Sequence, residues 1–161
     1  MSEPRTPIIV AFDGSPEAIE AVRTASVLFP TRLLVIVSIW EPGLAAMAMM
    51  PTAEVGATAY VPPSPEQVEV FDRAQRNHAQ ATADAGVQLA VEAGAEAEAA
   101  PVPDDLNVAE TVAEIAEQRD AAALVVGSRG LGRMKAAVLG STTRRLLHET
   151  RRPVVVVRAA G

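Results

Sequence analysis

Between Val126 and Arg144 the sequence reads Gly127-Ser128-Arg129-Gly130-Leu131-Gly132-Arg133-Met134-Lys135-Ala136-Ala137-Val138-Leu139-Gly140-Ser141-Thr142-Thr143. Glycines let backbone N–H groups approach an anion with no Cβ between them. Ser141 and Thr142 add hydroxyl donors, and Arg129 and Arg133 add charge-assisted ones. Together these groups suit a phosphate. The same residues also make an ordinary turn and helix cap, so the stretch alone leaves both readings open. Two other phosphate loops are excluded by spacing: no glycine precedes a lysine, as G-x-x-x-x-G-K-[ST] requires, and G-x-G-x-x-G is absent. Asp13, in the turn Asp13-Gly14-Ser15, is a carboxylate positioned to accept hydroxyl hydrogens or to hold its own turn. No catalytic set accompanies these residues. His78 and His148 sit on helical segments as surface or structural residues, and Glu66/Glu69 and Glu110/Glu114/Glu117 read as solvated faces.

Short apolar runs flank these residues. Ile8–Phe12, Leu33–Trp40, Ala122–Val126 and Pro153–Val157 are nearly continuous in Val, Ile and Leu, the pattern of strands covered on both faces. Ser15-Pro16-Glu17 and Ser64-Pro65-Glu66 are helix starts, with a capping Ser, Pro in the first turn and an acid beside it. The first helix ends at Pro30, with Ala18, Val22, Ala25 and Phe29 on one face. The second runs to Gly94, and its periodicity predicts an inward face of Val68, Phe71, Ala74/Gln75, His78, Ala81/Thr82, Ala85 and Leu89. Asn107–Glu110 resembles a capping box for a helix ending near Arg119, with Val108, Val112 and Ile115 inward. A last helix spans Ser141–Glu149. Ala95–Val102 is a strand only by its place between two helices. Residues 43–63, rich in Ala, Pro and Met (Met47, Met49, Met50), have no clean period and read as a long flexible loop.

Strand and helix alternate without a hairpin signal, which predicts an α/β fold: a five-stranded, mostly parallel, Rossmann-like sheet with helices on both faces, within a single domain over 1–161. The composition agrees, with 161 residues, 49% hydrophobic and 21% charged. There is no cysteine, which excludes thiol catalysis and iron–sulfur ligation and fits a reducing compartment. No signal-like or membrane-length apolar run is present, so a cytoplasmic protein is expected. The net charge of −6 is uneven: residues 127–161 carry eight Arg/Lys and one acid, a local +7 against −13 for the remainder. Such a chain repels a duplex backbone over most of its surface, and a small phosphorylated ligand suits it better than nucleic acid.

These pieces, in this order, resemble the universal stress proteins. The family signature G-x-x-G, nine residues, G-[ST] is met by Gly127–Gly130, Leu131–Leu139 and Gly140-Ser141. Val10–Ser15, Ile39–Pro42 and Arg152–Arg158 extend the likeness over the whole length. The resemblance implies an adenine nucleotide alpha hydrolase-like fold of the ATP-binding branch. In that branch Asp13 and the backbone of Ile39 hold ribose and adenine, Val126 and Gly127 line the nucleoside, and Gly130, Gly140, Ser141 and Thr142 hold the phosphates. It implies ATP, with Mg²⁺ arriving on the phosphates, and leaves AMP or ADP open, because Thr142 replaces a frequent branched apolar residue and Ser38 a frequent His. The expected role is a nucleotide-dependent regulatory module of the stress response with at most weak ATPase activity. Alternatives are a nucleotide-free dimeric adaptor and a slow ATP hydrolase. The C-terminal strand Val154–Val157 is expected at a sheet edge, where a second copy would pair with it to make a homodimer.

Overall fold

A computed structural model describes residues 6–43, 62–104, 107–129 and 139–159. Among them lie β1 (Ile8–Ala11), α1 (Pro16–Leu28), β2 (Leu34–Trp40), α2 (Pro65–Glu92), β3 (Ala97–Pro103), α3 (Val108–Gln118), β4 (Ala123–Gly127), α4 (Ser141–Glu149) and β5 (Val154–Val157). All pairings are parallel, in the order β3-β2-β1-β4-β5. This is the expected α/β architecture, and β5 is an edge strand. The anticipated loop at 43–63, with Met47, Met49 and Met50, falls almost wholly outside the described residues.

The apolar strands are explained by two cores. Ile8, Val10, Phe12, Leu34 and Ile36 face α1 and α2, while Ile9, Val35, Val37, Leu124 and Val126 face α3 and α4. With no wet face on the central strands, polar alternation has nothing to point at. Removing these side chains from water supplies the main driving force, about 1.5–3 kcal/mol for each fully buried Val, Leu or Ile.

Three helix starts follow the capping rules. The Ser15 Oγ accepts from the Ala18 N–H (3.2 Å), and the Asn107 Oδ1 from the Glu110 N–H (3.1 Å). Ser64 and Gln67 complete a reciprocal capping box.

The inward face of α2 differs from the expectation. Its buried residues are Ala79, Ala83, Gly86 and Ala90, whereas Phe71, His78, Ala81 and Ala85 are exposed. The cause is close packing: a Cβ at Gly86 would lie 2.6 Å from the Ile36 Cγ2. Small side chains let the helix settle onto β2, so hydrophobic bulk was a misleading guide to its orientation.

At the sheet margins, Arg119 bridges to Glu98 on β3 at 2.6 Å. Arg152, just before β5, donates to both Glu117 oxygens, the Asp120 carboxylate and the Ala121 carbonyl. The Arg152 hydrogen bond holds the Glu117 carboxyl below its ordinary range. Strand β3 carries Pro101 and Pro103, opposite Ser38 and Trp40 of β2. Within the described residues no helix is long and apolar enough to cross a membrane.

Candidate functional site

Strand order alone locates a crevice. From β1 the chain builds outward through β2 to β3, then crosses back to place β4 on the other side of β1. Helix α1 leaves β1 toward one core and α4 follows β4 toward the other. The helices that follow β1 and β4 thus lie on opposite faces of the sheet, the arrangement in which open α/β sheets bind ligands at the carboxyl ends of the strands.

A cleft of about 400 Å³ lies there, on the α3/α4 side. This is within the usual size of small-molecule sites. Eight of the nine residues singled out from the sequence line it: Asp13, Ile39, Val126, Gly127, Arg129, Gly140, Ser141 and Thr142. Gly130, the ninth, lies outside the described residues, as do Arg133 and Lys135. Val108 and Val112 of α3 and Leu146 of α4 add apolar wall.

Two kinds of polar group line the cleft. Asp13 is exposed, and its Oδ1 accepts the Ser15 N–H at 2.9 Å, so the carboxylate holds its own turn while lining the cleft. Also in the lining, α4 begins at Gly140 with no side-chain cap and no acid in its first turn. Ser141 and Thr142 are exposed. The first N–H groups of a helix lack intrahelical partners and carry about half a positive charge between them. Here they open into the cleft, a setting that accepts anions.

Several residues that shape the cleft were not singled out. Thr143 is buried, and its Oγ1 donates to the Gly127 carbonyl at 2.9 Å, fastening α4 to the end of β4. Glu17, in the first turn of α1, is buried with its carboxylate 2.5 Å from an Arg129 guanidinium nitrogen. Arg129, read from the sequence as a phosphate donor, is thus half of an ion pair. Gly127 is required by the same contact, because a Cβ there would stand 2.8 Å from the Glu17 Cβ and 3.0 Å from the Glu17 carbonyl carbon. Val108 and Val112 were visible as an inward helical face. Glu17 and Arg129, 112 positions apart, left no local signal.

Trp40 lies outside the lining, with the Arg76 guanidinium 5.7 Å from its ring centroid. His78 and His148 are exposed helix residues. Among the described residues no group of three or more His, Asp or Glu side chains is arranged to hold a metal ion.

The model of the universal stress protein family matches residues 4–158. No curated protein matches the chain. Among solved structures, the universal stress protein UspA from Lactobacillus plantarum superposes with a TM-score of 0.71 at 18% identity, covering 98% of this chain and 100% of its own. The universal stress protein from Archaeoglobus fulgidus in complex with dAMP gives 0.63 at 20% identity, covering 96% and 99%. A family protein from Arabidopsis thaliana with AMP bound gives 0.62 at 16% identity, covering 97% and 93%. The chain belongs to the universal stress protein family.

Proposed function

We propose that this universal stress protein binds an adenine nucleotide, ATP in the first instance, in the cleft at the carboxyl ends of β1 and β4. One observation carries the reading: Asp13, the uncapped amino end of α4 and the apolar residues Ile39, Val108, Val112 and Val126 line a single cleft. A nucleotide has the matching set of groups. Asp13 accepts the ribose hydroxyls and the backbone of Ile39 meets the adenine edge, while Val126 and Gly127 flank the nucleoside. Gly130, Gly140, Ser141 and Thr142 hold the phosphates, which would bring Mg²⁺ with them. The dAMP and AMP complexes of the structural neighbours support the same class of ligand.

The output in this reading is a change of conformation or partner in the cytoplasm, not rapid chemistry. Phosphoryl transfer needs a positioned base. The carboxylate among the described lining residues, Asp13, is placed on the ribose in this reading and not beside the phosphates. Turnover is expected well below the ~1 s⁻¹ of ordinary enzymes. Millimolar ATP should raise the melting temperature, because a ligand bound only by the native state stabilises it by roughly 2.7 kcal/mol at 100 times Kd. Gly140→Val should abolish the rise by placing a side chain in the phosphate position. An unchanged melting temperature, with no heat of binding by calorimetry, would sink the reading.

The same reading includes a homodimer through β5. The Leu124 N–H donates to the Pro153 carbonyl and the Ser128 N–H to the Val157 carbonyl, so odd-numbered positions of this strand face β4. Val154 and Val156 therefore turn their N–H and C=O groups outward along an edge without proline, where a two-fold copy can pair antiparallel. Light scattering should give a mass of two chains at micromolar concentration. Val156→Pro should favour the monomer with the fold intact, whereas Val155→Pro should weaken the β4–β5 pairing itself. A single-chain mass for the wild type refutes the dimer.

A further inference from the structure

We infer that Glu17 is a specificity-determining residue for the number of phosphates on the bound nucleotide, acting through Arg129; the inference rests on the nucleotide-binding reading above. Arg129 is the one cationic side chain among the described residues that line the cleft, and Asp13 the one anionic side chain. The Arg129 backbone adjoins the start of α4: a Cβ on Gly140 would stand 3.5 Å from the Arg129 Cα. A free guanidinium on a residue that lines the cleft would reward every additional phosphate charge.

The guanidinium is not free. The Glu17 carboxylate stands 2.5 Å from it, with 8% of the glutamate side chain and 27% of the arginine side chain exposed. Water screens such a pair weakly, and taking the arginine away would leave a buried carboxylate without its counter-ion. Arg129 therefore stays with Glu17 when a nucleotide enters. The pair meets the phosphates as a nearly neutral unit whose donors still form hydrogen bonds. One phosphoryl group is served by the N–H groups of α4, and further groups gain little from the pair. Glu17 thereby narrows the gap between the affinities for AMP and for ATP, and the cleft responds to the proportion of the two nucleotides, not to ATP alone.

Calorimetric titration of AMP and ATP in magnesium-free buffer tests this, read as the ratio Kd(AMP)/Kd(ATP). Glu17→Gln keeps the side-chain shape and an acceptor for Arg129 while deleting the negative charge. The ratio should rise in favour of ATP on the order of tenfold for each added phosphate charge, and more steeply at low salt. Arg129→Gln should move it the opposite way, and the double substitution should restore the wild-type ratio. A merely structural role for Glu17 lowers both affinities together and leaves the ratio unchanged, which overturns the inference. Should Glu17→Gln not fold, Arg129→Gln alone decides: an equal loss for AMP and ATP overturns it. If the wild type binds neither nucleotide, the nucleotide reading fails and this inference falls with it. If the wild type binds but Glu17→Gln leaves the ratio unmoved, only this inference falls.

Discussion

Helices α1 and α4 start on either side of the same crevice and are built in opposite ways. The α1 start is closed on itself: Ser15 caps the Ala18 N–H, Asp13 accepts the Ser15 N–H, Pro16 needs no acceptor and Glu17 places an acid in the first turn. The α4 start has glycine at the cap position, no capping side chain, no acid in the first turn and two exposed hydroxyl residues. Both follow a strand of one sheet, so the fold does not force the difference. A helix start that satisfies its own donors serves stability, and one that leaves them facing a cleft is available to a ligand.

The comparison breaks most severely if α4 is made to resemble α1. Gly140→Asp supplies a capping carboxylate at a position whose Cβ would meet only ordinary contacts. Unliganded stability should rise by up to about 1 kcal/mol. The ATP-induced stabilisation, roughly 2.7 kcal/mol at 100 times Kd, should vanish. Denaturant melts with and without ATP measure both effects.

Next in size is Gly127→Ala, which forces a Cβ to 2.8 Å from Glu17 and 3.0 Å from the Arg129 carbonyl oxygen. Overpacking of this kind costs about 1–3 kcal/mol, read as a lower urea midpoint with an unchanged slope. Ser15→Ala should cost about 1 kcal/mol through loss of the α1 cap and leave the ATP-dependent shift in place. An equal loss of that shift would mean that the α1 start also serves the ligand.

The smallest effect lies away from both helix starts. Glu117 has its carboxyl lowered from 4.5 by the Arg152 hydrogen bond. A depressed folded-state value contributes stability above the unfolded value, and that contribution is lost as pH falls through the folded one. The difference between wild type and Glu117→Gln should therefore shrink on acidification below about pH 4.5, with acid-side melting curves as the measure.

How far these features could be read from the chain depended on their range. The central strands were legible because burial on both faces turns Ile8–Ala11 and Leu34–Ile39 into continuous apolar runs. The glycine stretch and the helix from Ser141 were legible because capping and turn chemistry are local. Strand β3 was nearly silent: Ala97–Pro103 is only half-buried at the sheet edge, so Ala, Glu and Pro suffice there. The face of α2 was misread because Ala79, Ala83 and Gly86 are inside for being small. The Glu17–Arg129 pair joins residues 112 positions apart and exists only after the strands are ordered around β1.

The two margins of the described sheet differ in what they offer another strand. The Leu34 N–H donates to the Glu96 carbonyl and the Asp104 N–H to the Trp40 carbonyl, so even-numbered positions of β3 face β2 and odd-numbered ones face away. Pro101 and Pro103 therefore fall on the outward side, and half of the four outward positions from Ala97 to Pro103 have no N–H to offer another strand. A sheet with two receptive margins is a divalent monomer in the polymer chemist's sense, capable of end-to-end growth. With prolines blunting one margin, the described sheet approaches a monovalent unit: in the proposed dimer, pairing at β5 would use its better-endowed margin, and growth would stop at two chains.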